Sequence, residues 1–203
     1  MIKNKDFSEK TVNPNPFIQF EIWYKEHLTC GIAIPDTLSL GTASPGGRVS
    51  VRTVLLKDYD EIGFIFFTNY NSKKGGQISA NPLAALLFYW SESGRQVRIE
   101  GKIEKIGGKK SSDYFSTRPR ESQISAWASE QSLVIPDRRH LEKRYDFYKN
   151  KFDNKPVEKP PHWGGYRLIP DFFEFWQDGE FRLHDRVVYS KEKDSWIIER
   201  MAP

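Results

Sequence analysis

Apolar residues recur at helical spacing near the start of the chain and at strand spacing after it. In PFIQFEIWYKEHL, Phe17, Phe20, Trp23 or Tyr24, and Leu28 fall on one helical face. Asn15-Pro16 just ahead supplies a cap and a proline at the first helical position. Strand-like segments follow: VSVRTVLL ending at Leu56, GFIFFT at Gly63 to Thr68, LAALLFYW ending at Trp90, and RQVRIEGKIEKI at Arg95 to Ile106. The polar KDYDEI reads as a turn between the first two. Between the second and third, Ser72 caps a short expected helix, with Pro82 just beyond its end.

After Gly107-Gly108 the pattern turns helical in KKSSDYFSTR and in much of ESQISAWASEQS. Asp137 can cap a helix through RRHLEKRYDFYKNKF, and DNKPVEKPPHWGG reads as a proline-rich loop. Strand patterns return in DFFEFWQ, FRLHDRVVY and SWIIERM. Long β runs with interspersed helices predict an α+β fold, mainly antiparallel β, closing as a barrel. The chain carries no internal repeat. Residues 1–14 are expected as a flexible N-terminal segment and 15–203 as a single domain.

Composition narrows the function. The chain has 203 residues, 38% hydrophobic and 29% charged, which suits a globular domain with a real core. A net charge of +4 favours anionic partners such as phosphates or nucleic acid. The lone Cys30 excludes an internal disulfide framework and fits a reducing compartment. No apolar run approaches the ~20 residues of a bilayer span, and the polar start lacks a signal-peptide apolar region. A cytoplasmic protein with no membrane partner is expected. His27, His140 and His162 lack ligand spacing, so no metal site is expected.

Four basic clusters are candidates for chemistry. In FRLHDRVV, strand alternation puts Arg182, His184 and Arg186 on one face and Leu183 on the other. Such a face suits an anion; the alternative is a solvated edge strand. In VRTVLLK, Arg52 and Lys57 bracket apolar residues and are expected on opposite faces. In TNYNSKKG, a helix start with Lys73 and Lys74 makes a phosphate seat without Walker spacing. In YFSTRPRESQ, Tyr114 and Arg118 share a helix face with Ser122 just after the break, a possible second phosphate seat. At each of the last three the alternative is an exposed element end.

Together the segments resemble the pyridoxine (pyridoxamine) 5′-phosphate oxidase family. RTVLLK, the SKK helix start, RQVRIEG, RPRESQISAW, ASEQS, EFWQ, RLHDR and the ending ERMAP fall in that family's order over residues 15–203. The resemblance implies an FMN-binding split barrel with flanking helices, and a homodimer with flavin at the subunit interface. It implies FMN-dependent oxidation of pyridoxine or pyridoxamine 5′-phosphate to pyridoxal 5′-phosphate, with O2 as acceptor. By resemblance Arg52, Thr53, Val54, Leu55, Leu56 and Lys57 line the flavin, with Phe67, Thr68, Lys73, Lys74 and Gln96. Gln131, Ser132, Trp176 and Arg186 join them, reaching in from the partner chain. Lys57, Tyr114, Arg118 and Ser122 match positions that hold the substrate phosphate. Arg182, Leu183 and His184 match substrate positions, with Arg182 and His184 as the catalytic pair over the pyridine ring. Phe67 stands where many members have tyrosine, and Lys73 where arginine is usual. The rivals are another split-barrel flavin oxidase, such as a phenazine-pathway enzyme, and a non-catalytic binder of FMN or pyridoxal phosphate. A barrel that binds single-stranded nucleic acid is a third. The joint presence of Tyr114, Arg118 and Ser122 favours the vitamin B6 substrate. The basic residues cluster at separate seats rather than along one stripe, against nucleic acid.

Overall fold

The computed structural model describes residues 7–203. Helix α1 (Pro16–Leu28) starts where Asn15 Oδ1 accepts the Phe17 N–H at 2.9 Å. It turns Phe20, Trp23 and His27 inward, while Leu28 is exposed. Leu28 was expected on the buried face, but it lies one position further round than His27, which takes the inward place. Residues 7–14, expected as a loose lead-in, lie against the core. Phe7 is 4% exposed and packs on Trp23, and Asn13 O accepts from the Tyr189 hydroxyl at 2.7 Å. The rest of that expected segment, residues 1–6, lies outside the described residues.

The strands are β1 (Thr37–Ala43), β2 (Val49–Leu55), β3 (Asp58–Asp60), β4 (Gly63–Asn69), β5 (Leu83–Trp90), β6 (Arg95–Lys105), β7 (Trp163–Gln177), β8 (Asp185–Glu192) and β9 (Ser195–Arg200). They form one antiparallel sheet in the order β2-β1-β5-β6-β7-β4-β3, with β8 on β7 and β9 on β8. The sheet curls into a split barrel with helices on its flanks, as expected. β1 was not anticipated, and KDYDEI forms the short β3 hairpin with β4 rather than a plain turn.

β7 organises the sheet. β6 runs along one edge, while β4 pairs with residues 163–168 and β8 with residues 172–177 on the other. The register shifts opposite Glu100/Gly101, where Pro170 sits. A proline lacks the ladder N–H and is tolerated at such a bulge. The strand therefore begins at Trp163, inside the stretch expected as a proline-rich loop.

Inward-facing Leu40, Phe64, Leu86, Phe88, Val97, Ile99, Phe173, Phe175 and Val187 fill the barrel, and α1 caps it with Phe20 and Trp23. Burying each such side chain contributes about 1.5–3 kcal/mol. A second, smaller core joins Phe115, Ile124, Phe152, Val157 and Trp163. It lies among α3 (Gly108–Thr117), α4 (Arg120–Ala128), α5 (Arg138–Lys151) and the start of β7. Among the described residues no helix is long and apolar enough to cross a membrane.

Candidate active site

Where the two cores meet, β2, the end of β4, the start of α2 (Lys73–Ala80) and the α3–α4 junction enclose a cavity of about 690 Å³. Eleven of the residues singled out from sequence line it: Thr53, Val54, Leu55, Lys57, Phe67, Thr68, Lys74, Tyr114, Arg118, Ser122 and Gln131. Asn69, Ser125, Ser129 and Trp163 also line it and carried no sequence signal, since only the folded chain places them there.

One side of the cavity is an arginine on an aromatic stack. The rings of Phe67, Tyr114 and Trp163 are nearly parallel and mutually close, Phe67 at 4.0 Å from Tyr114 and 5.3 Å from Trp163, and the Arg118 guanidinium sits 4.8 Å over Trp163. Pro119 holds Arg118 in extended backbone and ends α3. Gln123 locks the junction by donating to the carbonyls of Phe115, Ser116 and Arg118. Arg118 Nη1 is buried with no hydrogen-bond partner, and burial holds the guanidinium pKa below its usual value. A buried donor of a cation without an acceptor is costly, and Arg118 as a residue borders the cavity, where its charge attracts an oxyanion. Lys57 projects into the same cavity and pairs with Asp36 at 2.5 Å.

The other side is the start of α2. Ser72 caps it, with Oγ accepting from Gly75 N–H at 3.3 Å. Lys74 is 8% exposed and donates to Gln131 Oε1 at 2.7 Å, Thr68 Oγ1 at 3.0 Å and Ser72 Oγ at 3.1 Å, so Gln131, expected from the partner chain, is held at its own chain's cavity by this lysine. Burial, and then the nearby charge of Arg52, lower its pKa to about 8. Two cations held together in a desolvated place favour an anion between them. Arg52 is not among the lining residues, and its guanidinium donates to Thr42 on the neighbouring β1. Leu56 turns into the core instead, and Lys73 faces solvent.

The remaining candidates lie at the far end of β7. Gln96 pairs with Trp176 across β6 and β7, and Trp176 pairs with Arg186 across β7 and β8. This row lies on the face opposite the core, since Val97, Phe175 and Val187 beside it are fully buried. Glu174, on the same face, accepts from Arg186 Nε at 2.7 Å and Arg98 Nη2 at 2.6 Å. His184 lies against Trp176 at 4.7 Å, and its Nδ1 accepts from Gly179 N–H at 3.2 Å.

The expected strand face of Arg182, His184 and Arg186 does not form. Glu180–Arg182 is a 3₁₀ turn, Phe181 and Arg182 have φ of 54° and 63°, and the strand begins only at Asp185. Two successive left-handed residues end the strand alternation. A side chain at Gly179 would meet the Leu183 carbonyl, so the turn closes tightly. Arg182 and Leu183 are left exposed at its tip, and Ser132 is exposed with φ of 76°. None of Gln96, Ser132, Trp176, Arg182, Leu183, His184 and Arg186 lines the cavity of the same chain.

Two family models match the chain. Residues 25–149 match the one described as pyridoxamine 5′-phosphate oxidase, and residues 163–203 match the pyridoxine 5′-phosphate oxidase C-terminal dimerisation region. The chain is 53% identical to a pyridoxine/pyridoxamine 5′-phosphate oxidase of Burkholderia thailandensis, over 95% of this chain and 91% of that one. It is 48% identical to one of a Nostoc species, over 97% and 92%. Among solved structures, PhzG of Burkholderia lata, in complex with tetrahydrophenazine-1-carboxylic acid, superposes with a TM-score of 0.91 at 27% identity, covering 98% of each chain. A pyridoxamine 5′-phosphate oxidase-related, FMN-binding protein of Nostoc punctiforme shares the fold, with a TM-score of 0.73 at 19% identity over 93% and 98%.

Proposed function

The chain belongs to the pyridoxine/pyridoxamine 5′-phosphate oxidase family, and on that premise we propose that it is an FMN-dependent oxidase. Its substrates are pyridoxine 5′-phosphate and pyridoxamine 5′-phosphate, and its product is pyridoxal 5′-phosphate. The alcohol and O2 give pyridoxal 5′-phosphate and H2O2. The amine, O2 and water give the same products plus ammonia.

The observation that carries this reading is the pair of separate anion seats beside one cavity. Arg118 stands with Lys57, Tyr114 and Ser122 on one side. Buried Lys74, coupled to Arg52, stands on the other. A flavin with one phosphate and a substrate with another need two such seats, so the residues present fit the cofactor. Arg52 and Lys74 hold the FMN phosphate, while Thr53, Val54, Leu55, Thr68 and Gln131 border the flavin. When bound, FMN supplies the two-electron acceptor that passes its electrons on to O2.

This chain's own residues bind and orient. Lys57, Tyr114, Arg118 and Ser122 hold the substrate phosphate, remote from the reacting carbon, and so fix its geometry with binding energy. The stack of Tyr114, Phe67 and Trp163 keeps Arg118 rigid and water-poor, which strengthens its grip on an oxyanion. Arg182, His184, Trp176 and Arg186 act from a second copy of the chain, because their own chain's cavity lies at the other end of β7. Arg182 and His184 position the pyridine ring and stabilise negative charge on its phenolic oxygen.

The likeness to PhzG favours a second reading, a phosphate-free tricyclic substrate on the same scaffold. H2O2 release with pyridoxine 5′-phosphate and with pyridoxine separates them. The first reading expects turnover that requires the phosphate; turnover indifferent to it, or none with either, contradicts that reading.

A further inference from the structure

Gln77 lies on α2, one turn beyond Lys74, and is 8% exposed. Its Oε1 accepts from the Thr42 hydroxyl at 2.8 Å and from Arg52 Nη2 at 3.2 Å. Its Nε2 donates to Ser50 Oγ at 3.2 Å and to the Arg48 carbonyl at 3.4 Å. The amide is therefore oriented: a flip would set its NH2 against a guanidinium. Arg52 Nη1 donates both its protons, to Thr42 Oγ1 at 2.6 Å and Leu40 O at 3.0 Å. Among the described residues, the Arg52 donors left over are Nε–H and one proton of Nη2, the two atoms of one guanidinium edge. That edge is the fork that grips an oxyanion through two parallel bonds.

We infer that Gln77, with Thr42 as its hydrogen-bonding mate, is a positioning residue for the cofactor phosphate. It holds the back of Arg52 with neutral acceptors, so the guanidinium keeps its full charge and presents the Nε/Nη2 edge to the anion. A carboxylate there would orient Arg52 equally well but would neutralise it and repel the phosphate. Gln77 also ties β2, which carries Arg52, to α2, which carries Lys74, and so sets the spacing of the two cations. The inference rests on the FMN reading of the site.

Dissociation constants of FMN and of riboflavin, which lacks the phosphate, test it when read from flavin fluorescence with the full-length protein. Gln77→Leu is expected to weaken FMN about tenfold or more and to leave riboflavin within about twofold. The near-isosteric Gln77→Glu, which keeps both acceptor contacts, is expected to weaken FMN further. Thr42→Val should repeat the loss and Thr42→Ser should keep wild-type affinity. Equal weakening of both flavins would show a merely structural role and overturn the inference, as would unchanged FMN affinity in both Gln77 variants. If the wild-type protein binds FMN no better than riboflavin, the phosphate reading itself fails before any variant is made.

Discussion

Trp163 and Trp176 stand at the two ends of β7, Trp163 against the cavity and Trp176 in the row with Gln96 and Arg186. The twelve residues between them make thirteen steps along the strand, about 43 Å at roughly 3.3 Å per residue. One chain thus carries two groups of candidate residues that it does not itself bring together. The C-terminal group lies within the stretch that matches a dimerisation region. A symmetric pair of chains would set one chain's cavity against the other's turn, twice.

Subunit complementation checks this arrangement. Arg118→Ala damages the cavity and Arg182→Ala damages the turn, so each variant alone should be nearly inactive at substrate concentrations near the wild-type KM. Randomly reassorted, half the dimers are mixed and each mixed dimer holds one intact site of two. Activity should recover to about a quarter of wild type. Recovery no greater than the sum of the two variants would place both residues in one chain's site.

Arg182→Ala should lower turnover at least about 100-fold while flavin stays bound, because the role proposed for the residue is on the ring and not on the cofactor phosphate. Flavin content by absorbance, measured beside the rate, makes the separation. Equal loss of both, or of neither, would contradict the role.

Arg118→Met should raise KM for the phosphorylated substrate about 10- to 100-fold, the worth of a charged hydrogen-bonding partner. Its effect on folding should be small or even favourable, since it removes the buried donor left without a partner. Thermal melting and steady-state kinetics of the same preparation report both.

Lys74 gives the proposed flavin seat a pH dependence. Its pKa is lowered to about 8 by burial and by Arg52, and an adjacent phosphate favours the charged form. FMN affinity should therefore fall as pH rises through about 8, by up to about tenfold per pH unit. Lys74→Arg should flatten that slope. Without flavin the sign reverses. Between about 8 and the ordinary 10.5 the unfolded chain holds the extra proton, so this lysine's contribution to stability rises with pH. Fluorescence titrations at pH 7, 8 and 9 resolve the first effect.

Glu174 is 4% exposed at its side chain and takes hydrogen bonds from Arg98 and Arg186. Burial pushes its carboxyl pKa up, but the two arginines outweigh burial and the net shift is downward. Its stabilising contribution is therefore present at neutral pH and lost as pH falls below the ordinary carboxylate range. Glu174→Gln should cost about 1–3 kcal/mol at pH 7, moderated because both arginines keep some water contact. The loss should shrink in acid, as read from denaturant midpoints at pH 7 and pH 4.

The sequence made the local elements legible where side-chain chemistry is local. The caps Asn15, Ser72 and Asp137 all accept the expected backbone N–H groups. The strand runs around Phe66, Phe88 and Val97 are equally plain, because Phe64, Phe66, Phe88 and Val97 face the barrel core. β1 was harder to see. Its TLSLGTA alternates Leu38 and Leu40 with small and polar residues, and Gly41 weakens the signal. The turn at Phe181 and Arg182 was invisible, since left-handed backbone at non-glycine residues is fixed by the packing around it. At the site, Lys74, Arg118 and Lys57 were singled out as candidates beside an equally open reading as element ends, and the fold brings all three to one cavity. Gln77 was not singled out, because a glutamine's role depends on which strand lies opposite it.

Anaerobic titration of the flavin-loaded protein with pyridoxine 5′-phosphate, followed by flavin absorbance, is the most direct measurement. The proposed reaction predicts bleaching that saturates at about one substrate per flavin and reverses when air is admitted. Flavin that stays oxidised in the presence of the substrate would contradict it.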